Sequence, residues 1–220
     1  MYVIPENSKA FLSEKWKEEY SEILNEEHWS FLIKELEYLL KNPVSENRLP
    51  YFNEETTPSL LEVKKYFLQK VENEKPIAKN WAKWIENSPF SYLLILLGQR
   101  FTSASSKDAT AIPPLKETLI QSCFELFNPQ ICVATRAWEK HVGRTNDDFW
   151  GEIKGNPQQK NEFVQNKIKQ MIENKTWWNI FFHYKHALVY EIRVESGHGI
   201  RWNKDGTSII GFLEPFINED

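Results

Sequence analysis

Leu188-Val-Tyr-Glu-Ile-Arg-Val-Glu195 is the stretch that decides the fold. Leu188, Tyr190, Ile192 and Val194 alternate with Val189, Glu191, Arg193 and Glu195, a period of two that only an extended strand turns into one apolar and one charged face. Downstream, Ile200-Arg-Trp202 and Ser208-Ile-Ile-Gly-Phe212 flank Asp205-Gly206, the dipeptide of a tight hairpin turn. Upstream the period changes to that of a helix. Asn156-Pro157 caps a run in which Val164, Ile168, Met171 and Ile172 share one face.

Further towards the N-terminus the chain reads as helices punctuated by prolines. Trp29, Leu32, Ile33, Leu36, Leu39 and Leu40 form one apolar stripe that Pro43 ends. Thr57-Pro58 starts the next helix, with Leu60, Leu61, Val63, Phe67 and Val71 as its buried side, and Pro76 and Pro89 open shorter helices. Thr102 to Pro114 is a loop. Helices are expected over Leu115 to Phe127 and Gln130 to Val142, with Gly143 ending the second. The fold class is therefore α+β, a mostly helical N-terminal two thirds followed by a helix and a small antiparallel sheet. We expect a single globular domain over 1–220, with a helical part at 1–145 and an α+β part at 146–220 that carries the site.

Composition narrows the function classes. The 220 residues are 41% hydrophobic, enough for a real core, and the net charge of -4 argues against a wholesale polyanion binder. Cys123 and Cys132 read as free core thiols, and the N-terminus lacks the pattern of a secretory signal, so a soluble, cytoplasmic chain is expected. Tyr92 to Leu97 is too short to cross a bilayer. No membrane association is expected, and the sequence names no cofactor.

Nine of eleven prolines precede Cys132, whereas seven of eight glycines and four of five histidines follow it. Site-forming residue types thus crowd into the last third. Arg136, Lys140 and Arg144 recur every fourth residue and form a cationic stripe, which a helix C-terminus also favours without any ligand. Trp150-Gly-Glu-Ile-Lys-Gly-Asn-Pro157 approaches a helix N-terminus, with Lys154 and Lys160 beside it, and plain capping by Asn156 explains it equally. His183-Tyr-Lys-His186 would offer two imidazoles to a metal on a helix but not on a strand. Ser196-Gly-His198-Gly-Ile-Arg201-Trp202 follows the charged strand; its glycines permit a close ligand or simply a tight turn.

Three readings compete. The leading one is a Trp/Arg/His-rich cleft holding an anionic, phosphorylated or nucleotide-like ligand, in a possible hydrolase or transferase. Its ligand-binding residues are Arg136, Lys140, Arg144, Lys154, Arg193, Arg201 and Trp202, and its acid/base groups are His141, His198 and Glu191. A short single-stranded nucleic acid is a variant of it, because twelve Lys/Arg balance twelve Asp/Glu from Val133 to Asp220 and give no long-range field. The second reading is a non-catalytic module that binds a protein partner through the helical half, and the third is a metal-dependent enzyme using His183 and His186. No motif is specific enough to carry a family.

Overall fold

The computed structural model describes residues 3–46 and 48–216. It is α+β, with helices first and a four-stranded antiparallel sheet last. The chain divides into two compact units, one of residues 1–47, 56–102 and 106–112, the other of 48–55, 103–105 and 113–220.

The first unit is helical: α1 (Glu14–Glu19), α2 (Glu26–Lys41), α3 (Leu60–Asn73), α4 (Ala78–Glu86) and α5 (Phe90–Leu96). Asn25 caps α2 by accepting from the His28 N–H, and the helix buries Trp29, Leu32, Leu36, Leu39 and Leu40, the stripe that its periodicity predicts. On α3 the expected cap moves by two residues. Ser59, not Thr57, accepts from the first turn, while the Thr57 hydroxyl oxygen accepts from the Phe101 N–H at 2.7 Å instead. Val63 and Phe67 are buried, whereas Leu61 is exposed and lies off the face that packs. Trp81 and Trp84 of α4 meet edge to face in the middle of this core.

The second unit contains α6 (Lys116–Cys123), α7 (Val133–Val142), α8 (Pro157–Glu173) and strands β1 (Lys175–His183), β2 (His186–Val194), β3 (Gly199–Asn203) and β4 (Ile209–Leu213), paired in chain order. Both helices before the sheet are shorter than their apolar patterns imply. The Leu126–Cys132 segment closes on itself in a bridge instead, which makes Cys132 the residue before α7 rather than part of it. At the start of α8 Asn156 and Gln159 form a reciprocal capping box. Gly206 in the β3–β4 turn has φ 72°, the left-handed value that the Asp-Gly reading requires.

One face of the sheet carries Trp178, Ile180, Tyr190, Ile192, Ile200, Trp202 and Phe212, all buried. This face takes the helices: His141 and Trp150 meet the Phe212 ring, and α8 supplies Val164, Ile168, Met171 and Ile172. Each such side chain contributes about 1.5–3 kcal/mol by leaving water. Strand β1 is the element that the sequence reading leaves open between helix and strand, and Lys175–His183 is strand. His183 pairs with His186 across a tight turn.

Both cysteines are free and buried, as expected of core thiols. Burial pushes the Cys123 thiol up to about 12 and raises that of Cys132. In the native protein at pH 8 a disulfide reagent such as Ellman's should therefore modify neither thiol quickly, and full reaction of both should appear only in denaturant. Rapid native labelling of either would mean that this core is looser than described.

Candidate functional site

On the sheet face opposite the helices, side chains line up in rows across the strands. Asn179, Glu191, Arg201 and Gly211 are successive cross-strand partners in β1 to β4, and Trp177, Arg193, Gly199 and Leu213 form the next row. Glu191, only 1% exposed, joins two cations. Arg193 Nε donates to its Oε1 at 2.6 Å, and Arg201 donates to its Oε2 from Nε at 2.8 Å and from Nη2 at 2.6 Å. Such charge-assisted bonds, two of them from one edge of Arg201 to a single oxygen, fix guanidinium orientation as well as energy.

The remaining donors separate the two arginines. Arg193 is 5% exposed and gives its Nη1 to the carbonyls of Gly197 and Glu214 at 2.6 and 2.7 Å. Burial pulls its guanidinium below the ordinary range, while the neighbouring Glu191 pulls it back up. Phe216 lies on it with 3.8 Å from ring centroid to Cζ, and Phe52 stacks on Phe216 at 4.2 Å. Arg201 is more accessible and places Nη1 2.9 Å from His183 Nε2. Beside it the Gly211 position is open, since a Cβ there would meet nothing within 4 Å.

The glycines flanking His198 have different causes. Gly197 has φ 90° and turns the chain. Gly199 has an ordinary φ but no room, because a Cβ would come within 2.5 Å of the Ile192 carbonyl and 2.9 Å of Arg193 Cγ. It is the gap through which Arg193 lies flat on the sheet.

A second cluster forms at the end of the sheet. His198 Nε2 is 2.7 Å from Asp147 Oδ2 and 3.7 Å from Glu214 Oε2, and Ser196 Oγ is 2.9 Å from its Nδ1. His141 Nε2 lies 2.8 Å from Glu214 Oε1, which also accepts from the Trp150 indole N–H at 3.1 Å. Phe149 stacks flat on the His198 ring at 3.8 Å, and the Phe149 N–H donates to Asp147 Oδ1. The hydrogen bond from His198 is the main reason that the Asp147 carboxyl titrates below its usual range, followed by the Phe149 N–H.

Of the residues singled out from the sequence, the structure thus brings together Glu191, Arg193 and Arg201 in one group and His141 and His198 in another. The Glu191–His198 acid/base pair does not form. Glu214, Asp147 as a partner of His198, and Phe216 carry no local signal, for they meet their partners only through the fold. The others do not line a cleft. Lys140 and Arg144 are exposed, and Arg136 lies over the Phe127 ring. Lys154 pairs with Glu152 and Lys160 with Glu139, while the capping box occupies the start of α8. Trp202 is fully buried on the helix side and offers no stacking surface, and Trp138, Trp150, Trp177 and Trp178 are core residues as well. His183 stands on a strand against Arg201 rather than on a helix beside His186, whose side chain lies outside the described residues.

Comparison with known proteins gives two similarities. Residues 122–214 match the family model of the CdiA C-terminal tRNase toxin domain. The matched span is less than half of the chain. Among solved structures, the toxic C-terminal tip of CdiA from Pseudomonas aeruginosa, in complex with an immune protein, is 26% identical; the match covers 43% of this chain and 99% of that one, with a TM-score of 0.38. No curated protein matches. The family match overturns the expectation of a nucleotide-like or other small anionic ligand handled by a transferase, as it points to a nuclease. It equally overturns the non-catalytic module, and the metal pair of His183 and His186 loses the helix it required, because the two residues stand on successive strands joined by a turn. The geometry gives the physical reason: the cations expected to clamp a small anion are dispersed, and the tryptophans expected to stack on it are buried.

The Asp147–His198 pair gives a pH test. A carboxyl that titrates below its unfolded value, about 3.9, stabilises the fold fully above that value and loses the contribution as pH falls through the folded one. At pH 7 Asp147→Asn should melt below wild type, and the gap should close in acid. Melting curves followed by circular dichroism from pH 7 to pH 3 check this; a gap independent of pH would remove the pair from the account.

Proposed function

We propose that residues 122–214 form an RNA-cleaving domain acting on tRNA, with the Glu191, Arg193, Arg201 and His183 group as its catalytic face. The observation that carries this reading is the family match, within whose span all four side chains fall. The chemistry that RNA cleavage needs supports the choice of face. A ribose 2′-hydroxyl attacks the adjacent phosphorus while a base removes its proton; the bond from phosphorus to the 5′-oxygen breaks, and an acid protonates that oxygen. The products carry a 2′,3′-cyclic phosphate and a 5′-hydroxyl. No water or metal enters this balance, so the requirement is a proton carrier beside cations placed for the extra charge on the phosphoryl oxygens.

Arg201 and His183 fit the two reacting roles. The Arg201 guanidinium is partly exposed, with the open Gly211 position next to it, and His183 Nε2 is within hydrogen-bond reach of the same guanidinium. A phosphate held by Arg201 therefore meets the imidazole that moves the proton. Glu191 and Arg193 are positioning residues. The carboxylate takes two Arg201 donors and fixes its plane, and Arg193, with its Nη1 on main-chain carbonyls, fixes the carboxylate. The balance of twelve Lys/Arg against twelve Asp/Glu from Val133 to Asp220 agrees with a substrate recognised at short range rather than drawn in by a field.

Full-length protein incubated with total tRNA should cut it and leave cyclic phosphate ends. Arg201→Ala and His183→Ala should each slow cutting by roughly 100- to 1,000-fold, as for loss of one transition-state donor or one acid/base group. Arg201→Lys should rescue poorly, because a lysine cannot reproduce the planar set of donors that reaches Glu191 and His183 together. Wild-type protein that leaves tRNA intact, or an Arg201→Ala variant that cuts at the wild-type rate, would overturn the assignment.

A further inference from the structure

The cluster at the end of the sheet is not used by the proposed cleavage and has the composition and spacing of a metal site. Each of its two carboxylates is anchored through one oxygen. Asp147 Oδ1 accepts from the Phe149 N–H at 2.8 Å, and Glu214 Oε1 accepts from the Trp150 indole at 3.1 Å and faces His141 Nε2. The other oxygens, Asp147 Oδ2 and Glu214 Oε2, are turned towards His198 Nε2. The three donor atoms lie within 4.8 Å of one another, with 2.7 and 3.7 Å from the imidazole nitrogen to the two oxygens.

An ion about 2.0–2.2 Å from three such donors separates them by about 3–3.5 Å, which is the spacing seen after small adjustments. His198 can take that role in the manner of metal-bound histidines: an ion would displace the Nε2 proton now shared with Asp147, Ser196 Oγ 2.9 Å from Nδ1 can accept the remaining N–H, and the stacked Phe149 fixes the ring plane. His141, already on the second oxygen of Glu214, stands as an outer partner. Two anchored carboxylates and one or two imidazoles suit a divalent transition ion, zinc above all, rather than magnesium, which prefers oxygen and water. We infer that Asp147, His198 and Glu214 form a zinc-binding site that ties the 147–150 turn to the β2–β3 turn and to the end of β4.

This inference is independent of the cleavage reading, and its readout is metal stoichiometry rather than activity. Full-length protein stripped with chelator should take up one zinc per chain when titrated against a chromogenic chelator, and its melting temperature should rise with free zinc, as mass action requires. Asp147→Asn, which keeps the oxygen that accepts from Phe149, should weaken binding on the order of 100-fold or more, beyond the loss typical of an outer partner. His198→Ala should abolish it. His183→Ala, on the opposite sheet face, should still bind one ion. Circular dichroism shows whether each variant is folded, and if His198→Ala is not, Asp147→Asn decides. Absence of zinc uptake by the wild type, or uptake that survives both Asp147→Asn and His198→Ala, would overturn the site.

Discussion

A buried carboxylate without partners is too costly to keep charged, and the sheet face is organised around that constraint at Glu191. Removing such a group from water costs several kcal/mol even after relaxation, and only close, well-oriented cations return it. The partners come from its own strand, two residues on, and from the next strand directly across, so the pairing register of β2 with β3 is also the charge balance of the face. A slip by one residue would send Glu191 and Arg193 among the helices and bring Tyr190 and Ile192 to the other side. Apolar burial on one face and ion pairing on the other thus enforce the same register.

This double constraint explains why β2 was legible in the sequence and β1 was not. In Leu188 to Glu195 the apolar and charged residues alternate, and that alternation survives in the structure, although Glu191 and Arg193 are buried rather than solvated and only Glu195, past the end of β2, is exposed. In Trp177-Trp-Asn-Ile180 four successive residues are buried because both faces of the strand are covered. Val189 to Val194 of β2 are buried throughout as well, but there one face carries charge; in β1 apolar residues stand on both faces, which erases the period of two, and an apolar run of that length reads equally as a helix. The Asp-Gly turn between β3 and β4 was legible for the opposite reason: a left-handed backbone position needs a particular residue, so local chemistry dictates it.

The candidate sites divide along the same line. Glu191, Arg193 and Arg201 were readable because strand periodicity places the first two on one face and hairpin connectivity brings the third alongside. His198 was noticed for its glycines, but its partners Asp147 and Glu214 stand 51 residues before it and 16 after it in sequence. Nothing local marks them. The tryptophans misled because an indole that packs a core and an indole that stacks on a ligand are the same residue in the same neighbourhood, and only burial separates them.

The stack of Phe52 on Phe216 on Arg193 bears on where this chain can be divided. Neither ring falls inside residues 122–214: one comes from a segment more than 60 residues upstream and the other lies just past the end of the match. A fragment trimmed to the matched boundaries would leave the flat side of the Arg193 guanidinium wet. Water beside that cation raises the effective dielectric around its bond to Glu191 and weakens the grip that orients Arg201. The excised fragment and the intact chain are therefore distinct electrostatic objects, even though both contain Glu191, Arg193 and Arg201.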